Sequence, residues 1–96
     1  MIISMHKKFG SSFGIRKIAR KFRINLENEL INSDEKIIFD MEKVTVISSS
    51  FADELITKLY TNPNFQDRLV IINYNDTVQI VVSQSLSKFV KQNSVN

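Results

Sequence analysis

Three consecutive hydroxyls, Ser48-Ser49-Ser50, stand between an apolar segment and a run with helical spacing, with two carboxylates, Asp53 and Glu54, a few residues on. Hydroxyls in such a place can do two things. Ser50 can act as an N-cap, accepting from the amide near Asp53, while Asp53 and Glu54 complement the positive end of the helix dipole. Capping is the commoner role. Alternatively, a serine ahead of a helix N-terminus sits where amides and dipole favour an anion. A phosphate there would add about −1.5 to −2 charges, turning a mildly acidic surface strongly acidic.

The second constellation is basic. Lys7, Lys8, Arg16, Lys17, Arg20, Lys21 and Arg23 all fall within residues 1–26, which hold no acid. The remainder has six basic and ten acidic side chains, so the net charge of +3 reports one basic segment and not a generally basic chain. Arg16, Lys17, Arg20, Lys21 and Arg23 are candidates for binding an anion, either nucleic-acid phosphates or an anionic surface. Neither helix-turn-helix spacing nor an aromatic stacking platform accompanies them, so a solvated, acid-paired face is the simpler reading. A third arrangement has Arg16 or Arg20 reaching Asp53 or Glu54 across the fold and fixing the serine turn.

Catalysis has little to build on. His6 is the one histidine and cysteine is absent, which removes thiol nucleophiles, disulfides and thiolate metal sites. Gly10 and Gly14 form no phosphate-cradling loop. No catalytic residue, metal ligand or cofactor is expected. Nor does any stretch reach membrane-spanning length or form a signal peptide, so the expected location is cytoplasmic, without membrane insertion.

These groups need elements to hold them. Residues 2–9 alternate loosely and read as a strand, and Gly10 to Ser12 break it. Ile15, Ile18, Ala19, Phe22, Leu26 and Leu30 recur at helical spacing, giving a helix from about Phe13 to Ile31. Ile37-Ile38-Phe39 is a continuous apolar run, expected to be a strand covered on both sides. Val44, Val46 and Ile47 resume apolar character, and Phe51 to Tyr60 is helical. After the stop at Asn62-Pro63-Asn64 come a strand at Leu69–Ile72 and a helix from Asn75 or Asp76 to about Gln92. One α/β domain over residues 1–96 follows, in β-α-β-α-β-α order. Its sheet is mainly parallel, with room for an antiparallel edge strand, and its helices lie mainly on one face. An open sheet edge is compatible with a homodimer.

The segment Asp40 to Ser50 resembles the hallmark of STAS domains, found in sulfate transporters and anti-sigma factor antagonists. In that hallmark a strand reading Asp-Leu-Ser-x-Val is followed by apolar residues and Asp-Ser-Ser-Gly. Asp40, Val44, Ser49 and Ser50 match, Ser48 replaces the second Asp and Phe51 replaces the Gly. A narrower group, bacterial STAS-like domains of unknown function, is similar at Asp40, Ser48, Ser50, Phe51, Ala52, Asp53, Glu54 and Leu55. Phe9, Gly10, Arg16, Ala19 and Asn73 also correspond, so the likeness spans roughly residues 9–90. The resemblance implies a STAS-like fold and a regulatory, partner-binding role through Ser48, Ser49, Ser50, Phe51, Asp53 and Glu54. The partner it implies is a kinase-like ATPase or a sensor, and the phosphorylated position, by analogy with anti-sigma factor antagonists, is Ser49. The alternative is a small nucleic-acid-binding protein that uses its basic first helix.

Overall fold

A computed structural model describes residues 1–93 of the chain. Three strands, β1 (Ile2–Ser4), β3 (Ile37–Asp40) and β5 (Leu69–Ile72), form a sheet in the order β1-β3-β5. Two shorter ones, β2 (Ser12–Phe13) and β4 (Val46–Ile47), pair apart from it. All described pairings are parallel, so the antiparallel edge strand that the sequence left room for is not found among the described residues.

The register explains which face is covered. Ile3, Phe39 and Ile71 lie abreast, and so do Ile2, Ile38 and Val70. Because side chains alternate along a strand, the two rows point to opposite faces. Phe39 is buried and Ile3 and Ile71 pack against the core, whereas Ile2 and Val70 are exposed. The apolar run at Ile37-Ile38-Phe39 is therefore covered on one face, not two. The helices lie mainly on that covered face, as expected: the Phe22 ring of α2 (Arg16–Leu30) stands 6.2 Å from that of Phe39.

Between β1 and β2 the chain is helical, not extended. Ser4 ends the strand and caps α1 (Met5–Phe9), its Oγ accepting from the Lys7 amide at 3.2 Å. Met5 and Phe9, four residues apart, then turn to the core together, with Met5 fully buried. Gly10 closes α1 at φ +90, a backbone state that favours glycine, and its amide reaches the His6 carbonyl at 2.8 Å. Phe13 belongs to β2, so α2 begins at Arg16, later than its apolar spacing suggests.

The chain is helical over residues 49–61 in three parts: α3 (Ser49–Ala52), a π-helical turn (Asp53–Thr57) and α4 (Lys58–Thr61). A π turn widens the helix, and such turns are frequent at functional sites. Here Glu54, Leu55, Ile56 and Thr57 are all buried, between α2 and α5 (Asp76–Asn93). Asn75 starts α5, accepting from the Val78 amide at 2.8 Å. Burial of Phe39, Phe51, Phe65, Leu55, Ile56 and Leu59 supplies the core, each side chain worth about 1.5–3 kcal/mol before entropy is charged against it.

Candidate functional site

The serine turn is docked onto β2. Ser48, not Ser50, is the N-cap: its Oγ accepts from the Phe51 amide at 3.0 Å and donates to the Gly14 carbonyl at 2.7 Å. The Ser48 amide donates to the Phe13 carbonyl at 3.2 Å. Of three equivalent hydroxyls, the first is selected because β2 runs beside it. Gly14 is required there by proximity, since a Cβ at that position would lie 2.7 Å from the Ser48 Cβ and 2.8 Å from its Oγ. Ser49 is left exposed and Ser50 half-buried. Phe51 is buried, its ring 4.7 Å from Phe13 and 5.4 Å from Phe9 in edge-on contacts. Its side chain supports the turn from below and offers a partner nothing directly.

The two carboxylates part company in the π turn. Glu54 is fully buried. Its Oε1 accepts from Arg20 Nε at 3.1 Å and Nη2 at 2.9 Å, with Arg16 Nη1 at 3.8 Å. Its Oε2 meets Arg23 Nη2 at 3.3 Å and Lys58 Nζ, one turn on. Burial pushes this carboxyl up, but hydrogen bonds from Lys58 and Arg20, with their charges, outweigh it and bring the pKa down to about 2. Asp53 stays half-buried, where its Oδ1 accepts from the Ser85 hydroxyl, and Ser85 in turn pairs with Thr57. Lys88 Nζ stands 3.4 Å from Asp53 Oδ2, and Arg16 Nη2 4.0 Å.

The basic segment therefore divides. Arg16, Arg20 and Arg23 turn to Glu54, as the cross-fold arrangement required, and Arg23 also binds Glu27 at 2.8 Å. Lys17 and Lys21 are exposed, and among the described residues neither stands within ion-pair distance of a carboxylate. Sequence reasoning singled out neither Lys58 nor Lys88. For Lys58 a signal existed: it follows Glu54 at the four-residue spacing of helix ion pairs.

Beside the turn lies an apolar hollow of about 490 Å³, lined by Phe13, Gly14, Ile15, Ile18, Val46 and Ser48 among others. Ile15 is 62% exposed, Ile18 45% and Val46 40%. Ser49 lines a second hollow with Ser83, Ser87 and Lys88. The exposed serine thus follows Ser48, which lines the apolar hollow, and itself lines the hydroxyl-rich one that carries a lysine.

Residues 19–79 match the family model described as a STAS-like domain of unknown function (DUF4325). The chain belongs to that family. The matched stretch of this STAS-like domain holds Arg20, Arg23, the serine turn, Glu54 and Lys58, and leaves Gly14, Arg16 and Lys88 outside. Within it, the Asn73 amide group donates to Asp40 Oδ1 at 3.0 Å, and the Glu42 amide donates to the same oxygen. The Asn73 bond ties the end of β3 to the residue after β5, and the two bonds, that of Asn73 foremost, hold the Asp40 carboxyl below the usual carboxylate range. Comparisons with curated proteins and with solved structures returned no significant match. Among the described residues, no helix of the STAS-like domain is long and apolar enough to cross a membrane.

Proposed function

We propose that this STAS-like domain is a non-catalytic regulatory module that binds another protein through its serine turn, as anti-sigma factor antagonists do. The observation that carries the reading is the placement of Ser49. It is exposed at the start of a turn whose backbone is held by Ser48, Gly14 and Phe51, next to Ser48, which lines the hollow that carries three exposed apolar side chains. A turn held before its partner arrives loses little conformational entropy on binding. Exposed apolar patches of this kind mark interaction surfaces on soluble domains.

Phosphorylation of Ser49 would add charge to this rim without meeting Glu54, whose own charge is enclosed by cations. Lys88, across the second hollow, would face the phosphate. The nucleic-acid alternative is weakened because the arginines of α2 are committed to Glu54.

The test is affinity capture from native lysate with the wild-type chain, Ser49→Ala and Ser49→Asp. The expected outcome is a kinase-like ATPase or sensor retained by wild type and Ser49→Ala and released by Ser49→Asp, with all three chains equally stable to heat. Equal retention by Ser49→Asp would rule the turn out as the contact. Retention of nucleic acid that falls steeply with salt would favour the alternative.

A further inference from the structure

Lys8 of α1 and Lys21 of α2 line another hollow, of about 310 Å³, with Phe9, Ile18 and Phe22 between them. Phe9 and Ile18 also line the hollow beside the serine turn. The two therefore adjoin at Phe9 and Ile18 and together make a furrow, with Ser48 lining one part and Lys8 and Lys21 the other. Its floor is aromatic: Phe9 stands 5.3 Å from both Phe13 and Phe22. Lys8 Nζ hangs 5.1 Å from the centre of the Phe22 ring.

The rim carries charge that the molecule does not neutralise. Among the described residues no carboxylate stands within ion-pair distance of Lys8, Lys17 or Lys21. Lys17 lies one turn before Lys21, so the two share a flank. Glu29, the one acidic residue lining the furrow, is at the end distant from the serine turn. A half-buried aromatic floor inside an unneutralised lysine rim complements a chain segment that presents apolar side chains along one face and carboxylates beside them.

We propose that this furrow takes an acidic amphipathic segment of the partner protein, its carboxylates directed to Lys8 and Lys21 and away from Glu29. The proposal rests on the protein-binding reading above and adds a surface and a partner chemistry to it.

Two fluorescein-labelled peptides test it on the full chain, both with leucines at helical spacing, one with glutamates between them and one with lysines. The glutamate peptide is expected to bind at least about tenfold more tightly at low salt, an advantage that shrinks as salt rises. Its amide-shift perturbations are expected at Phe9, Ile18 and Phe22, and the charge reversal Lys8→Glu with Lys21→Glu to remove the advantage. Equal binding of the two peptides overturns the proposal, as do perturbations confined to Ser49 and Lys88. So does sedimentation with phosphatidylglycerol vesicles that outcompetes the peptide, which would make the furrow a membrane contact. Capture of the natural partner separates the two readings. If Ser49→Asp releases it and the lysine reversal does not, the furrow is wrong and the serine turn stands. If the reversal releases it and Ser49→Asp does not, the furrow stands and the turn falls.

Discussion

Helix α2 carries arginines on one flank and lysines on the other, and the two flanks meet opposite surroundings. Arg16, Arg20 and Arg23 converge on a carboxylate with no solvent exposure, while Lys17 and Lys21 extend into water. The division follows the chemistry of the side chains. A guanidinium is a planar fork that can place two donors on one carboxylate and is weakly hydrated, so it tolerates a buried partner. An ammonium is a compact, strongly hydrated charge that does well at the rim. The basic character of residues 1–26 is thus two quantities: the arginine share is spent inside the monomer, and the lysine share is what an approaching molecule meets.

The sharpest way to break this comparison is to remove the charge that organises the arginine flank. Glu54→Ala leaves Arg20, Arg23 and Lys58 facing one another, with the Arg23 side chain only 14% exposed. Taking one partner from a buried ion cluster costs roughly 3–5 kcal/mol, and urea unfolding should show a loss of that order. A Glu54→Ala chain that unfolds at the wild-type midpoint would mean that the cage adds nothing to stability.

Acid should act on the same group more gently. The Glu54 carboxyl lies at about 2 in the fold against 4.5 for an unperturbed glutamate, so its stabilisation is complete above 4.5 and is lost as pH falls from there toward 2. The gap corresponds to about 3 kcal/mol at most, since Arg20 and Lys58 are half-exposed and screening reduces it. Measured by urea midpoints, the difference between wild type and Glu54→Gln should narrow over that range. A constant difference would assign the effect of Glu54→Gln to packing.

How much of this was legible in the sequence depends on whether local pattern or distant contact decided each feature. The helical spacing through Leu26 and Leu30 and the apolar strands at Ile37 and Leu69 were legible, because core burial imposes those periods. So was the link from Arg16 or Arg20 to Glu54. Helix α1 was not, since the spacing of Met5 and Phe9 suits either a strand or a helix. Ser48 could not be told from Ser50 as the cap because the choice is made by the Gly14 carbonyl, 34 residues earlier in the chain. The π turn gave no sign, and without it Glu54 reads as a surface residue complementing a helix dipole. What the arginines do follows from that burial.

The contact between Gly14 and Ser48 gives a test of intermediate size. In Gly14→Ala the added methyl would meet the Ser48 side chain at less than 3 Å, so β2 or the serine turn must shift. Overpacking of this kind costs about 1–3 kcal/mol. Because the clash is with the Ser48 side chain itself, Ser48→Gly made in the same chain should recover part of that loss, giving a double variant more stable than the two single losses sum to. Strict additivity in urea unfolding would show that Gly14 is kept for its own backbone and not for the approach of Ser48.

The smallest effect is expected on the lysine flank, and its smallness is the point of the comparison. Lys17→Ala and Lys21→Ala remove charges that touch no carboxylate among the described residues, and alanine is at least as good a helix former as lysine. Each should change unfolding free energy by less than about 0.5 kcal/mol. Arg20→Ala, one position from Lys21 on the same helix, should cost about 1–3 kcal/mol through the hydrogen bonds lost at Glu54. Equal costs for lysine and arginine would mean that the helix needs its charge as a whole, wherever it points. Unequal costs would leave the lysines with no role in folding, and so free to be chosen for what docks against them.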